Sequence, residues 1–174
     1  ACQIPSPRNL RRVSHRESPT RGSDRYPEPA TRTHSLPPPE KLQGQMKAGH
    51  INYDSDNGRI QVKDGNLPYC FQLEYYEFVG CTIQGEVTYC DFFGCDVQSS
   101  DIHNCNFYNG TQINNSKVGS SFVAAGCVAK NCYIYGTDGV FKGEMQGGIF
   151  REGGYDSKKA KFDDVEIVKS KKIN

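Results

Sequence analysis

The chain has 174 residues, of which 36% are hydrophobic, and its formal net charge is +1. This length allows one ordinary domain with an extension, and the low apolar content limits the core that such a domain can bury. No apolar run reaches the length of a membrane span, and the first thirty residues lack the apolar centre of a secretory signal. The sequence therefore predicts a protein that is neither secreted nor embedded in a membrane.

The first 48 residues form a proline-rich, basic segment. They contain eight of the nine prolines, and residues 1–50 hold nine Lys and Arg against four Asp and Glu, whereas residues 51–174 hold twelve against sixteen. A segment of this composition without apolar periodicity buries too little surface to offset its ordering entropy, so we predict an extended arm ordered by other protein subunits. The residues expected to contact these partners are Arg8, Arg11, Arg12, Arg16, Arg21, Arg25, Tyr26 and Arg32.

Residues 49–65 predict a β-hairpin. Apolar and polar residues alternate on both sides of Asp56-Asn57-Gly58, and Asn-Gly readily adopts the positive φ values that a tight turn needs. A second alternating segment, 161–170, lies near the C-terminus. These two segments are the expected caps of the repeat fold that lies between them.

Between Leu73 and Ile134 a five-residue repeat dominates the chain. Large apolar residues recur at intervals of five, with one interval of four and two of six, and a small residue stands two positions before most of them. An α-helix would spread this period around its surface, because five residues turn it through about 500°. The two-residue period of a single strand does not fit either.

A closed coil with flat sides of five residues fits the repeat, because each side then points one large and one small residue inward. Four sides would give a coil of about twenty residues and would stack Ile83 on Ile102 and Phe92 on Ile113. Six cysteines share the small position with Ser and Gly, so we predict buried free thiols in a reducing environment rather than disulfides. The expected structural core comprises Cys81, Ile83, Cys90, Phe92, Cys95, Val97, Ile102, Cys105, Phe107, Val118, Val123, Cys132 and Ile134.

In register, residues 90–109 read CDFFG, CDVQS, SDIHN and CNFYN. These units resemble the pentapeptide-repeat family, whose loose pattern is a small residue, Asp or Asn, Leu or Phe, and two variable residues. The resemblance covers residues 70–135 and implies a right-handed quadrilateral β-helix. Val or Ile at the centre and six-residue units at 110–115 and 131–136 depart from this pattern. The arm and the segment GGIFREGG at 147–154 resemble small virion proteins of tailed phages.

The predicted fold class is all-β, with a short right-handed β-helix of about three to four coils, a hairpin or strand cap and an extended N-terminal arm. The divisions expected along the chain are the arm at 1–48, the hairpin cap at 49–65, the β-helix at 66–150 and a C-terminal strand or tail at 151–174.

Side chains that could catalyse a reaction or bind a metal do not converge in this pattern. His103 occupies an outward position whereas the cysteines point inward, which disfavours a nucleophilic Cys. Cysteines five residues apart fall on adjacent sides of a coil, which disfavours structural zinc. The glycines at 143, 147 and 148 lack the Lys-Ser/Thr of a phosphate loop. We predict no enzymatic activity, no metal and no cofactor.

The sequence is compatible with two functions. The first is a non-enzymatic structural protein, a rigid β-helix anchored by its arm in a larger assembly such as a phage virion, located in the virion or the cytoplasm. The second follows from the resemblance, because some family members imitate duplex DNA and occupy topoisomerases; Asp91, Asp96 and Asp101 would then form an acidic rod face. No basic residue lies between Lys63 and Lys117, whereas the arm is basic. Nucleic-acid binding by the arm is a secondary expectation.

Overall fold

The computed structural model describes residues 39–54 and 58–174. The arm residues expected to bind partners, from Arg8 to Arg32, lie outside the described residues, and so does the hairpin turn at 55–57. The end of the predicted arm differs from an extended segment, because Pro39–Gln45 forms a short helix, α1. No helix within the described residues is long and apolar enough to cross a membrane.

The rest of the described chain consists of short strands joined by tight corners. In chain order the strands are β1 (Ala48–Asp54), β2 (Arg59–Glu74), β3 (Tyr76–Val79), β4 (Thr82–Thr88), β5 (Asp91–Phe93), β6 (Asp96–Gln98), β7 (Asp101–His103), β8 (Asn106–Tyr108), β9 (Gln112–Asn114), β10 (Lys117–Gly119), β11 (Phe122–Val123), β12 (Val128–Tyr135), β13 (Val140–Phe141), β14 (Glu144–Arg151), β15 (Gly154–Asp156), β16 (Lys161–Asp163), β17 (Glu166–Val168) and β18 (Lys171–Ile173).

These strands stack into a parallel β-solenoid of about seven coils, which confirms the predicted all-β repeat fold. Side 1 of the coils runs from the start of β2 through β3, β5, β8 and β11. It continues in β13, β15 and β18. Side 2 runs from the middle of β2 through β4, β6, β9, β12, β14 and β16. Side 3 runs from the end of β2 through β4, β7, β10, β12, β14 and β17.

Each coil therefore has three sides, and the prediction of four sides is wrong. Phe92 pairs with Phe107, fifteen residues on, rather than stacking on Ile113. Ile83 likewise pairs with Val97 rather than with Ile102. The shorter coil, together with a solenoid that is longer than predicted, gives about seven coils instead of three to four. The solenoid also extends beyond 66–150, because β2 begins it at Arg59 and β16 to β18 continue it past residue 151.

Left-handed backbone turns make the corners. The residue two positions after each central apolar residue has positive φ in most units, as in Gly94 (60°), Asn104 (53°), Asn109 (54°) and Asn115 (50°). Glycine and asparagine tolerate this conformation better than other residues. The final Gly or Asn of units such as CDFFG and SDIHN is thus the residue that turns the chain onto the next side.

The interior consists of one stack of large side chains behind each side. On side 1 the rings of Phe78, Phe92 and Phe107 stack with centroid distances of 5.4 Å and 4.9 Å. Aliphatic residues form the stacks behind most of sides 2 and 3. All thirteen residues of the expected core are at most 2% exposed.

The small residues at the corners satisfy buried backbone groups. The Cys81 N–H donates to Cys95 Sγ at 3.4 Å, one coil on, and the Ser100 N–H donates to Ser116 Oγ at 3.1 Å. The Cys105 N–H donates to Ser121 Oγ at 3.1 Å. A buried N–H without a partner is costly, so Cys, Ser and Thr interchange here because each is small and each offers an acceptor.

The N-terminal elements cover the first coil. Leu42 of α1 is fully buried against the core. β1 pairs antiparallel with β2, so that Ile51 faces Val62 across the hairpin. At the other end, the expected C-terminal cap is instead part of the solenoid: β16 and β17 pair with β14 on sides 2 and 3.

Candidate interaction face

The cysteines serve packing rather than surface chemistry. All seven described cysteines are buried and none forms a disulfide. Burial raises the pKa of Cys70 to about 12, and burial also raises the pKa of Cys105, Cys127 and Cys132. Since the thiolate is the reactive form of cysteine, burial keeps these four thiols in the less reactive protonated form at neutral pH. The pKa of Cys81 is lowered by its hydrogen bond with Cys95, but its side chain is buried as well. Among the described residues, no group of three or more His, Cys, Asp or Glu side chains is placed to hold a metal ion.

The acidic residues singled out in the sequence do not share a face. Asp91 lies on side 1, Asp96 on side 2 and Asp101 on side 3. Residues five apart fall on successive sides of a coil, so the expected acidic rod face is wrong. Asp91 is bound by Arg59 and accepts a hydrogen bond from Asn106 Nδ2 at 2.8 Å, whereas Asp96 accepts hydrogen bonds from Gln98 Nε2 at 3.1 Å and 3.2 Å.

A different set of carboxylates does share a side. Glu74, Glu86 and Asp101 lie on side 3 in the first three coils and all are exposed. Glu86 and Asp101 are direct register partners in adjacent strands. Glu74 Oε1 accepts a hydrogen bond from Thr88 Oγ1 at 3.3 Å. Because adjacent strands lie about 4.8 Å apart, these three carboxylates give the start of side 3 a concentrated negative charge.

Exposed aromatic rings accompany these carboxylates. The exposed fraction is 78% for Tyr69, 58% for Phe71 and 37% for Tyr75. Tyr75 stacks on Tyr89 of the next coil, with ring centroids 5.2 Å apart and planes 6° apart. We call this surface the acidic aromatic face; it comprises Tyr69, Phe71, Glu74, Tyr75, Glu86, Tyr89 and Asp101.

A bulge in the first coil produces the exposure of Tyr69 and Phe71. The register between β2 and β4 shifts on both sides of Cys70, which faces Gly85. The backbones approach so closely there that a Cβ on Gly85 would lie 1.9 Å from the Cys70 carbonyl oxygen. Cys70 points inward, so its two neighbours in the extended chain point outward.

The helix α1 fixes the backbone of this bulge. The Phe71 N–H donates to Gln45 Oε1 at 2.6 Å, and Gln45 Nε2 donates to the Phe71 carbonyl oxygen at 3.2 Å. Lys41 Nζ donates to the Gln72 carbonyl oxygen at 2.7 Å. The exposed rings therefore stand on a backbone that is held by hydrogen bonds rather than on an unsupported loop.

A polar cluster on side 3 ends the acidic aromatic face. His103 Nε2 lies 2.8 Å from Asp101 Oδ1, and the Tyr135 hydroxyl lies 3.1 Å from His103 Nδ1. Tyr135 crosses Gly119 to reach His103, and a Cβ on Gly119 would lie 2.5 Å from its ring. Lys117 Nζ lies 5.6 Å from the centroid of the same ring, so the charge of side 3 changes sign at this coil.

Sequence reasoning missed this face because it assigned residues to four sides. The sequence did hold a signal for this face. Outward aromatic and acidic residues flank the two inward residues Cys70 and Leu73; they are Tyr69, Phe71, Glu74 and Tyr75. Comparison with protein-family models, curated proteins and solved structures finds no significant match to this chain.

Proposed function

We propose that the protein is a non-enzymatic structural and interaction protein: the β-solenoid is a rigid body, and the basic N-terminal arm anchors it among other subunits of a larger assembly. The main support for the proposal is that the residue types in the interior differ from those on the surface. Thiols, aliphatic residues and phenylalanines fill the three stacks, whereas exposed rings and carboxylates concentrate on the acidic aromatic face. Contiguous exposed apolar surface beside charged groups is typical of protein–protein contacts.

Rigidity follows from how the coils are built. Consecutive coils share backbone hydrogen bonds on all three sides, and corner side chains add bonds between coils. At about 4.8 Å per coil, the seven coils form a body about 34 Å long. Such a body suits a spacer or a docking subunit better than a site that must open and close around a substrate.

A phage virion is the assembly that we favour. The support is the resemblance of the Arg- and Pro-rich arm and of the segment GGIFREGG to small virion proteins of tailed phages. The resemblance of units such as CDFFG to pentapeptide repeats supports a repeat protein of this general kind. That family is expected to be four-sided, whereas this chain forms three-sided coils.

A second candidate is inhibition of a topoisomerase by DNA mimicry. The carboxylates on side 3 favour it, because Glu86 and Asp101 are neighbours in register and Glu74, opposite Thr88, adds a third negative charge two positions along the strand. Lys117 and Arg151 on the same side, and the basic arm, oppose it. Inhibition of DNA supercoiling by micromolar protein would favour this candidate over the structural one.

The anchoring role is tested by deleting residues 1–38, which leaves α1 and its hydrogen bonds to Phe71 and Gln72 in place. We expect the shortened chain to keep the circular dichroism spectrum and melting temperature of the full chain but to stop co-sedimenting with the native assembly. Full co-sedimentation of the shortened chain would overturn the anchoring role.

A further inference from the structure

We propose that the acidic aromatic face is the receptor for the basic arm of a second copy of this chain. The inference deepens the proposed function and rests on it, because it names the surface on which the arm docks. It places residues 1–38 of one copy on Tyr69, Phe71, Glu74 and Glu86 of a neighbour.

The face offers two kinds of contact that suit such an arm. Tyr69 and Phe71 are more than half exposed, and the face of an aromatic ring attracts an arginine guanidinium packed against it. Glu74, Glu86 and Asp101 supply carboxylates, which arginine binds through paired hydrogen bonds. The two rings flank Cys70, which faces Gly85, and Glu86 directly follows Gly85 in the next coil, so one extended segment can contact both rings and carboxylates.

The arm has the complementary composition. Residues 1–38 contain seven Arg, three Asp and Glu, and seven Pro. Proline favours the extended polyproline conformation, which aromatic-lined surfaces recognise at a low entropy cost. The arm is thus opposite in charge to the face, and its prolines suit the exposed rings.

The other two sides of the first coils present fewer exposed carboxylates and rings to which a basic, proline-rich arm could bind. On side 1, Asp91 is engaged by Arg59 and Asn106. On side 2, Asp96 is only partly exposed and accepts hydrogen bonds from Gln98. The three carboxylates on side 3 are all exposed. Among the described residues, three of the five exposed large hydrophobic side chains belong to the acidic aromatic face.

The arm is long enough to act between copies. At about 3.3 Å per extended residue, 38 residues reach about 125 Å, several times the length of the seven coils. Each copy would then both donate an arm and receive one, which links copies in series without altering the solenoid.

Photo-crosslinking tests the docking directly. The full chain carrying a photo-reactive phenylalanine derivative in place of Phe71 is mixed with uniformly ¹⁵N-labelled wild-type chain, irradiated, digested and analysed by mass spectrometry. We expect crosslinks from the unlabelled position 71 to labelled peptides of residues 1–38. The matched control carries the derivative in place of Tyr53, which is 60% exposed on β1, and should give few such crosslinks. Crosslinks only within one copy, or none to the arm, would overturn the inference.

A binding measurement adds a second readout. A fluorescent peptide of residues 1–38 is titrated with the full-length chain. We expect Phe71→Ala and the pair Glu74→Gln, Glu86→Gln each to weaken binding by about tenfold, and added salt to weaken wild-type binding. Tyr53→Ala and Asp96→Asn are the controls, and all variants should keep the wild-type melting temperature. Equal affinity of face variants and wild type would contradict the inference.

The two proposals fail separately. If the chain lacking residues 1–38 leaves the assembly but face variants are incorporated like wild type, the arm anchors the protein elsewhere and only this inference is wrong. If the shortened chain is retained, the anchoring role itself is wrong.

Discussion

Tyr76 occupies a position that small residues hold in the following coils. It stands two residues before Phe78, as Cys90 stands before Phe92 and Cys105 before Phe107. Its side chain is 1% exposed, and burial raises the pKa of its hydroxyl to about 12. Within the described part of the chain this hydroxyl has no hydrogen-bond partner. A buried hydroxyl of this kind costs about 1–3 kcal/mol, so the ring stabilises the first coils while its polar atom opposes that gain.

Tyr76→Phe should therefore stabilise the protein. The substitution keeps the ring and removes the hydroxyl, and we expect the free energy of unfolding in urea at pH 7 to rise by about 1 kcal/mol. Tyr69→Phe is the control, because Tyr69 is 78% exposed and its hydroxyl can contact water. A loss of stability in Tyr76→Phe would mean that the hydroxyl has a partner.

The corner residues give a second prediction at this scale. Asn115 is exposed and has φ of 50°, a conformation that β-branched residues rarely adopt. Asn115→Val should lower the free energy of unfolding by about 1–3 kcal/mol through backbone strain alone, whereas Asn115→Gly should change it little. Thermal unfolding of the two variants checks this, and equal melting temperatures would argue against the left-handed corner.

At the scale of elements, stacking explains why strands as short as two or three residues are stable. Each strand buries its central residue between the equivalent residues of two other coils, as Phe92 lies between Phe78 and Phe107. The flanking residues of the same strand are only partly buried, and the corner N–H groups are bound one coil on. A strand is therefore stabilised by its neighbours in the stack rather than by its own length.

Phe92→Ala should therefore destabilise the protein strongly. It leaves a cavity inside a fully buried stack, and we expect a loss of about 3–5 kcal/mol in the free energy of unfolding. Gln98→Ala, an exposed change in β6 of the same coil, should cost less than about 0.5 kcal/mol. Denaturant unfolding compares the two, and similar losses would contradict the inward stack.

At the scale of the molecule, the two ends of the solenoid differ. α1 and β1 cover the first coil, and Leu42 is fully buried there. In the last coil Ile167 is 43% exposed, although Ile102 and Val118 on the same side are fully buried. Coils contact only their neighbours, so local stability should fall from the middle coils toward this less covered end.

Amide hydrogen exchange measures this gradient. Peptides from 161–173 should exchange at least about tenfold faster than peptides from 91–119, because opening the last coil breaks contacts with one neighbouring coil only. Peptides from 59–74 should stay protected by α1 and β1. Uniform protection along the chain would show instead that the solenoid opens as one unit.

The sequence by itself determined the β-solenoid and its inward residues. A five-residue unit with a small residue, a large centre and a Gly or Asn corner is a local pattern, and units such as Cys90–Gly94 carry it completely. For the same reason the burial of the cysteines was predictable, since they share one position with Ser and Thr. The arm contacts between Arg8 and Arg32 and the function stay predictions.

Only the tertiary structure decided how many sides close a coil and which surface residues meet. A five-residue period suits three sides as well as four, because the number of sides depends on how far the chain turns at each corner. Those turns are fixed together with bonds between coils, such as that from the Ser100 N–H to Ser116, sixteen residues apart. With three sides, Glu86 becomes the neighbour of Asp101 on side 3, and the acidic aromatic face exists only as a result of that closure.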